Sequence, residues 1–290
     1  MRLKVQVSSL LGVSLFIQGC VSTSLDFNEE IQTGRQEESI KLLESISWQG
    51  NSVHGYLADR IGFVINSDRM QLDLSKKEAD ENSITGSVTF LDRAEVEFGT
   101  AIAIDKRGYF LTAAHCIAAK QTVLLFWGQD EIEMRKARVV WSKSGRNEEL
   151  DLAVLHVDAK PHSVFEWGET AKVGDSVVSG GFQKESKDPE SNEIDIDTET
   201  RISAGQIEII GQLRSPGGRF QSITHDAPLV PGNSGGPVVG IDGKLIAINH
   251  TIQLVNGSNR NSGGRSVATR PDPEWVRKII QKDISKRMRE

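Results

Sequence analysis

Short apolar segments separated by turn residues dominate the chain from about residue 84 onward. They are rich in the β-branched and aromatic residues that favour strands, and hardly a helical pattern lies between them. The pattern therefore predicts an antiparallel, all-β architecture. We predict strands at Ser87–Leu91, Gly99–Ile104, Tyr109–Thr112, Thr122–Trp127, Ala137–Trp141, Leu152–Val157, Ser176–Ser179, Gln206–Ile210, Phe220–Thr224, Pro237–Val239 and Lys244–Asn249.

Two tight turns and one helix complete the predicted elements. Asp105–Gly108 and Asp242–Gly243 each separate two strands, and Asp-Gly is a strong hairpin signal. Near the end of the sequence, Asp272 can cap a helix and Pro273 suits its first position. A helix is predicted over residues 272–288, with an apolar face formed by Trp275, Val276, Ile279, Ile280 and Ile284.

The N-terminal segment has the pattern of an export signal. Two basic residues precede a mostly apolar run from Val5 to Ile17, which is too short and too polar to span a bilayer stably. The run ends in Phe-Ile-Gln-Gly-Cys, which resembles a bacterial lipobox although Gln18 is an imperfect fit. We therefore expect residues 1–19 to be a signal peptide and Cys20 to be lipidated, with an ordinary cleaved signal as the alternative.

The expected organisation has three parts. Residues 20–83 are expected to form a polar tether and an N-terminal extension, and residues 84–290 the β domain. A lipid on Cys20 would attach the protein to the membrane, and Val21 favours the outer membrane, with the site facing the periplasm. Cys116 would then have no disulfide partner and is expected to be a small buried hydrophobe.

Composition excludes several other classes of function. The net charge is −6 and no long basic stripe is present, so nucleic acid is not an expected partner. The sequence contains no His-Glu-x-x-His motif, no Cys-x-x-Cys pair and no glycine-rich phosphate loop, so neither a metal nor another cofactor is expected.

Three segments carry candidate catalytic residues within specific contexts. The first ends in Thr-Ala-Ala-His115-Cys116, the second is Asp151-Leu-Ala-Val-Leu, and the third is Pro-Gly-Asn-Ser234-Gly-Gly-Pro. A lone histidine or a lone Ser-Gly-Gly turn would carry no weight. Together they supply a base, an orienting carboxylate and a nucleophile in the order His, Asp, Ser.

These segments resemble the trypsin-like, chymotrypsin-fold serine protease superfamily, over roughly residues 84–285. The resemblance implies two orthogonal antiparallel six-stranded β-barrels, a C-terminal helix and an active site in the cleft between the barrels. It also implies that His115, Asp151 and Ser234 are the catalytic triad, and that the backbone amides of Gly232 and Ser234 form the oxyanion hole. The implied activity is that of a secreted or envelope-anchored serine endopeptidase acting on proteins or peptides.

Asn233 departs from the pattern of zymogen-activated trypsins. Those enzymes carry an aspartate at this position, which pairs with a newly cleaved N-terminus, and an asparagine cannot make that ion pair. The asparagine and the segment Ser203–Ile207 are instead similar to bacterial heat-shock (HTR-type) proteases. Those usually append a PDZ domain, but 56 residues follow Ser234, so none is expected here.

The same resemblance places the specificity pocket. Its base is expected at Pro228, followed by Leu229 and Val230, with the strand residues Asn249, His250 and Thr251 as its wall. No carboxylate lies at the base, so the pocket is expected to accept a small or medium apolar side chain of the substrate. Glutamate-specific relatives use a histidine near His250, so acidic specificity is the alternative.

Two other functions compete with the endopeptidase. A silent protease fold could serve as a binding or scaffold lipoprotein. The same triad could instead hydrolyse esters. Mutation of Ser234 separates the first alternative from the endopeptidase, and panels of peptides and esters separate the second.

Overall fold

Two closed, six-stranded antiparallel barrels make up most of the structure, a computed structural model. This confirms the predicted fold class. The structure describes residues 3–5, 39–73, 87–90, 96–119, 121–144, 150–183, 194–196, 200–215, 218–253 and 265–289.

Within the described residues, eighteen strands, three helices and one 3-10 turn follow one another along the chain. They are β1 (Leu3–Val5), α1 (residues 39–45), β2 (Ser47–Trp48), β3 (Asn51–Ser52), α2 (Val53–Ala58), β4 (Ile61–Ser67), β5 (Met70–Asp73), β6 (Ser87–Phe90), β7 (Val96–Asp105), β8 (Tyr109–Thr112), a 3-10 turn (Ala114–Ile117), β9 (Gln121–Trp127), β10 (Ile132–Lys143), β11 (Leu152–His156), β12 (Ser176–Phe182), β13 (Ile194–Ile196), β14 (Thr200–Ser215), β15 (Gly218–His225), β16 (Pro237–Gly240), β17 (Leu245–Gln253), β18 (Arg265–Pro271) and α3 (Pro273–Arg287).

Barrel 1 has the strand order β10-β11-β8-β7-β4-β9, and barrel 2 has the order β12-β14-β15-β18-β17-β16. Three further pairs, β1 with β13, β2 with β3 and β5 with β6, lie outside the barrels. Both predicted tight turns are present, and the glycine of each has positive φ, 89° at Gly108 and 77° at Gly243. Glycine adopts this conformation without the steric penalty that a side chain would bring.

The predicted domain boundary at residue 84 is wrong. Strand β4 lies between β7 and β9 and closes barrel 1, and all its residues are buried. An apolar run without alternation cannot be assigned to a strand by periodicity, which explains the error. Asn66, in this strand, is satisfied internally because its amide donates to the Gln121 carbonyl oxygen at 2.8 Å and its Oδ1 accepts from the Ala119 amide.

Strand β6, which the sequence placed in the β domain, pairs instead with β5 outside both barrels. The segment before β4 packs against barrel 2. The Trp48 indole donates to the Ile241 carbonyl at 2.7 Å, and the Tyr56 hydroxyl donates to the Gly243 carbonyl at 3.0 Å. This part of the N-terminal extension is therefore folded onto the barrels.

Strand β18 escaped the sequence prediction because polar residues are buried in it beside Val267 and Ala268. Arg270 is buried, and its guanidinium donates to the carbonyls of Ile246 and Gly168, both at 2.7 Å. Ser266 is also buried and donates to the Ala227 carbonyl at 2.8 Å. Buried polar groups are tolerated when they are hydrogen-bonded, and a hydrophobicity pattern cannot show this.

The predicted C-terminal helix is present as α3. The Asp272 carboxylate caps it by accepting from the Glu274 amide at 2.8 Å. Asp283 anchors the helix to barrel 1, since it accepts from the Tyr109 hydroxyl at 2.9 Å and from both terminal nitrogens of Arg138. Trp275 packs edge-on against Phe220 of barrel 2, so α3 contacts both barrels.

The predicted lipidation site at Cys20 and most of the predicted signal peptide and tether lie outside the described residues. Among the helices that the structure describes, none has both the length and the apolar character needed to cross a membrane.

Candidate active site

His115 and Asp151 are held together by the pairing of two barrel 1 strands. His115 lies in the 3-10 turn after β8, and Asp151 immediately precedes β11, which pairs with β8. The backbone N–H of His115 donates to Asp151 Oδ1 at 2.9 Å, and the imidazole Nδ1 makes a short hydrogen bond to Oδ2. An ionised carboxylate only accepts, so Nδ1 carries the proton and Nε2 is left as the basic nitrogen.

The environment of Asp151 favours its ionised form. Burial opposes ionisation of the carboxyl, but the hydrogen bonds and charge of His115 outweigh burial and hold the pKa of Asp151 below its ordinary value. The carboxylate is therefore charged at neutral pH, which a partner for an imidazolium requires.

Ser234 lies in a tight turn between Pro231 and Gly236. The Asn233 amide donates to the Val230 carbonyl at 3.0 Å, and the Gly236 amide donates to the Asn233 carbonyl at 2.9 Å. Gly232 has φ of 100° and Gly235 has φ of 82°. A side chain at Gly235 would also overlap the Thr100 carbonyl, so the turn requires glycine on both conformational and steric grounds.

The backbone amides in this turn fall into two groups. Those of Asn233, Gly235 and Gly236 donate to carbonyls. Within the described part of the chain, no carbonyl accepts from the amides of Gly232 or Ser234. These two are the amides that the resemblance assigned to the oxyanion hole.

The Cys116 sulphur lies between His115 and the Ser234 turn. Its Sγ is 3.5 Å from His115 Nε2 and 3.7 Å from the Ser234 carbonyl oxygen. Cys116 is fully buried, as expected from the sequence. Because Asp151 binds His115, and the Cys116 sulphur contacts both His115 and the Ser234 backbone, the three predicted triad residues lie close together.

The residues expected at the pocket base form the segment that leads into the Ser234 turn. Pro228 is exposed, whereas Leu229 and Val230 are half-buried. The Pro228 carbonyl accepts from the Ser203 hydroxyl at 2.7 Å. The expected wall is close by, because the Asn249 carbonyl of β17 accepts from the Gly235 amide at 2.7 Å.

The Asn249 side chain belongs to a polar chain inside barrel 2. Its Nδ2 donates to the Ser179 hydroxyl at 2.8 Å and to the Pro237 carbonyl, and its Oδ1 lies 3.0 Å from His225 Nε2. A carbonyl oxygen accepts, so His225 carries its proton on Nε2. Burial of the His225 imidazole lowers its pKa to about 4.

His250 is buried in strand β17. It sits at a β-bulge, since Asn249 pairs with Ala268 while Thr251 pairs with Val267. A bulge re-aims the side chain of the extra residue. The charge of His250 contributes to lowering the pKa of Asp151. Thr251, the next residue of the expected wall, is half-buried.

Sequence reasoning missed Thr100, which adjoins Gly99 in the hairpin that carries His115. Its hydroxyl donates to the Gly232 carbonyl at 2.7 Å. The contact spans 132 positions along the chain, so no local pattern could have indicated it. Among the described residues, no group of three or more His, Cys, Asp or Glu side chains could hold a metal ion.

Comparison with known proteins places this geometry in a family. The family model of the trypsin-like peptidase domain matches residues 99–248. A probable periplasmic serine endoprotease, DegP-like, of Hahella chejuensis is 29% identical over 164 residues, which cover 55% of this chain and 30% of that protein. A putative serine protease, HhoA, of Synechocystis is 27% identical over 164 residues, covering 53% and 37%. This chain thus spans about a third of the length of these relatives.

A solved structure agrees on the fold. The HtrA-type protease AlgW with decapeptide matches with a TM-score of 0.51 and 24% identity, covering 78% of this chain and 66% of that one. The matched family segment contains His115, Asp151 and Ser234, and it confirms the resemblance that the sequence motifs indicated. This chain belongs to the family of trypsin-like peptidase domains.

Proposed function

We propose that this protein is a serine endopeptidase that cleaves peptide bonds through an acyl-enzyme intermediate, with His115, Asp151 and Ser234 as its triad. The observation that carries the proposal is the paired contact between His115 and Asp151. The aspartate binds both the backbone amide and Nδ1 of the histidine, which fixes the imidazole and directs Nε2 away from the carboxylate.

The proposed reaction has two stages, acylation of Ser234 and hydrolysis of the acyl-enzyme, and His115 transfers a proton in both. The Ser234 hydroxyl attacks the substrate carbonyl while His115 Nε2 accepts its proton. The imidazolium, stabilised by the Asp151 carboxylate, returns this proton to the amine as the peptide bond breaks. Water then attacks the acyl ester while His115 Nε2 accepts its proton. The histidine returns this proton to the Ser234 oxygen, which restores the hydroxyl as the carboxylic acid product departs.

The amides of Gly232 and Ser234 are the proposed oxyanion donors. Negative charge develops on the carbonyl oxygen as the tetrahedral intermediate forms, and fixed N–H groups stabilise it without reorganisation. Their lack of carbonyl acceptors among the described residues leaves both amides available for this role. Loss of one such donor would raise the barrier by about 3 kcal/mol.

The proton transfer requires a hydrogen bond between the Ser234 hydroxyl and His115 Nε2. Nε2 contacts Cys116 Sγ at 3.5 Å. Catalytic hydrogen bonds are often long before substrate binds. We expect the Ser234 hydroxyl to form this hydrogen bond with Nε2 when the substrate is bound.

For specificity we propose a small or medium apolar substrate side chain. Pro228, Leu229 and Val230 present no charge at the proposed pocket base, and the Asn249 amide is engaged by Ser179 and His225. An acidic preference would need a cation in the pocket. A peptide library with all residue types at the cleaved position distinguishes the two preferences.

The proposed location is the bacterial cell envelope, with residues 1–19 as signal peptide and a lipid on Cys20 as the membrane anchor. The name of the Hahella relative, a periplasmic endoprotease, supports this location. Metabolic labelling with a fatty acid tests the anchor. We expect label in the wild-type protein and none in Cys20→Ala, whereas label in both would contradict a lipid on Cys20.

A fluorophosphonate probe tests the central proposal. We expect a covalent adduct that mass mapping places on Ser234, its loss in Ser234→Ala, and its retention in Ser142→Ala, which removes an exposed serine of β10. A folded wild-type protein that is not labelled and does not cleave a peptide library would contradict the endopeptidase and favour a binding protein. Labelling with turnover of esters alone would favour the esterase.

A further inference from the structure

Thr100 connects the two barrels at the turn that carries Ser234. It lies on β7 of barrel 1, is fully buried, and directs its hydroxyl toward barrel 2. The hydroxyl donates to the Gly232 carbonyl at 2.7 Å and accepts from the Phe182 amide at 3.0 Å. This hydroxyl therefore both donates a hydrogen bond to the Ser234 turn and accepts one from strand β12 of barrel 2.

The backbone of Thr100 holds the same turn at a second point. Its amide donates to the Ser234 carbonyl at 2.8 Å. Its own carbonyl accepts from the Thr112 hydroxyl at 2.7 Å, which ties it back to strand β8. Thr100 thus holds the carbonyls of Gly232 and Ser234, the two residues whose amides are the proposed oxyanion donors.

Asn233 closes a ring of hydrogen bonds with Thr100. Its Nδ2 donates to the Phe182 carbonyl at 3.2 Å, while the Phe182 amide donates to the Thr100 hydroxyl. Its Oδ1 accepts from the Val230 amide at 2.9 Å. The ring therefore runs from Thr100 through Phe182 and Asn233 back to Gly232.

The space around this ring is full. A Cβ atom added at Gly181 would lie 2.8 Å from Asn233 Nδ2 and 2.9 Å from Thr100 Oγ1. Asn233 is only 3% exposed. Water therefore has no room to replace a missing hydroxyl without displacing one of these groups.

We propose that Thr100 is a positioning residue that holds the Gly232–Ser234 backbone in the conformation required for the oxyanion hole. The inference rests on the proposed endopeptidase function and adds a residue to its machinery. Thr100 does not contact the substrate. It acts through the Gly232 carbonyl, whose position limits the rotation of the backbone that carries the two amides.

Two substitutions test the hydroxyl with little change of shape. Thr100→Val removes the hydroxyl, and Thr100→Ser keeps it. In Thr100→Val we expect kcat for a peptide substrate to fall about 10- to 100-fold, because a misplaced donor loses part of the oxyanion stabilisation. We expect KM to stay within about twofold, since the loss concerns the transition state. Thr100→Ser should retain nearly all of kcat.

A peptide aldehyde provides a second readout. Its adduct with Ser234 carries an oxyanion, so its inhibition constant should rise in Thr100→Val in proportion to the loss of kcat. Binding of the peptide acid product, which forms no tetrahedral adduct, should change little. A merely structural role would weaken both ligands together.

Thr122→Val is the matched control. Thr122 is also a buried barrel 1 threonine, and its hydroxyl accepts from the Asn66 amide at 2.8 Å on strand β9, which β4 separates from the strand of Thr100. We expect this variant to lose stability without losing kcat. An equal loss of kcat in Thr122→Val, or a folded Thr100→Val with wild-type kcat, would overturn the inference.

Hydrogen exchange separates this inference from the proposed function. Exchange of the amides in residues 229–236 should be faster in Thr100→Val than in the wild-type protein or Thr122→Val. This comparison needs no activity. A wild-type protein without turnover would overturn the endopeptidase, whereas unchanged exchange in Thr100→Val would overturn the role of Thr100.

Discussion

The Cys116 sulphur occupies the space next to the Gly99 Cα atom. A Cβ atom added at Gly99 would lie 2.5 Å from Cys116 Sγ and 3.0 Å from the Ser234 carbonyl oxygen. Strand β7 can therefore approach the Ser234 turn only because residue 99 has no side chain. This approach also places the Thr100 amide within 2.8 Å of that carbonyl.

Substitution Gly99→Ala should accordingly destabilise the protein. We expect a loss of about 1–3 kcal/mol in the free energy of unfolding, measured by denaturant titration, because a methyl group has to displace a sulphur or a backbone carbonyl. Gly211→Ala is the control, since its Cβ would meet its nearest neighbour at 3.8 Å. Adding Cys116→Ala should recover part of the loss, and equal losses in both glycine variants would contradict this account.

Asp151→Asn should leave the fold intact and nearly abolish turnover. An amide in place of the carboxylate can donate to the histidine and stabilise the wrong tautomer, and it cannot neutralise the imidazolium. We expect kcat to fall about 1,000- to 10,000-fold in steady-state kinetics. Asp158→Asn, which changes an exposed aspartate just beyond β11, should keep wild-type kcat. Loss of less than tenfold in Asp151→Asn would show that His115 is oriented by other groups.

His225 should make the protein less stable in mildly acidic solution. Its pKa falls from 6.5 to about 4 on burial, so between these values the unfolded chain binds a proton that the native protein does not. Stability from this group is thus present above pH 6.5 and declines as pH falls toward 4, by roughly 3 kcal/mol in total.

Thermal or denaturant unfolding across this pH range measures the effect of His225. His225→Gln keeps a donor for the Asn249 Oδ1 but does not titrate, and it should flatten the decline. His162→Gln, at an exposed histidine, should not. An unchanged slope in His225→Gln would assign the acid sensitivity to other groups.

Asp283→Asn should weaken the attachment of helix α3 to barrel 1. The variant loses the ion pair with Arg138 and one with Arg287, at a residue whose side chain is only 6% exposed. We expect a loss of about 2 kcal/mol in the free energy of unfolding. Glu274→Gln on the same helix breaks an exposed pair with Arg277 and should change stability by about 0.5 kcal/mol or less.

The sequence predicted the fold where local pattern and burial agree. Strand β8 has the predicted bounds, and α3 lies within one residue of them at each end, because turn and cap residues mark these elements directly. Strand β4 was not assigned, since an uninterrupted buried run has no periodicity. Strand β18 was missed because Ser266 and Arg270 are buried through hydrogen bonds to distant carbonyls.

The candidate site also has features that local sequence patterns predicted and features that they did not. The motifs around His115, Asp151 and Ser234 could be identified from the sequence, because each residue is flanked by several specific neighbours. The hydrogen bond of Thr100 to Gly232 and the electrostatic influence of His250 on Asp151 depend on how the barrels meet. Such relationships arise from tertiary packing and leave no local signature.

The order of the barrel strands along the chain also bears on when the candidate site can form during synthesis. Barrel 1 needs no residue beyond β11, so His115 and Asp151 can come together while barrel 2 is still emerging from the ribosome. Barrel 2 closes only when β18 is available, and α3 then binds the barrel that was made first. In a nascent chain, the proposed base and carboxylate would therefore come together well before the proposed nucleophile is positioned, so the order of the strands disfavours premature proteolysis by the proposed endopeptidase.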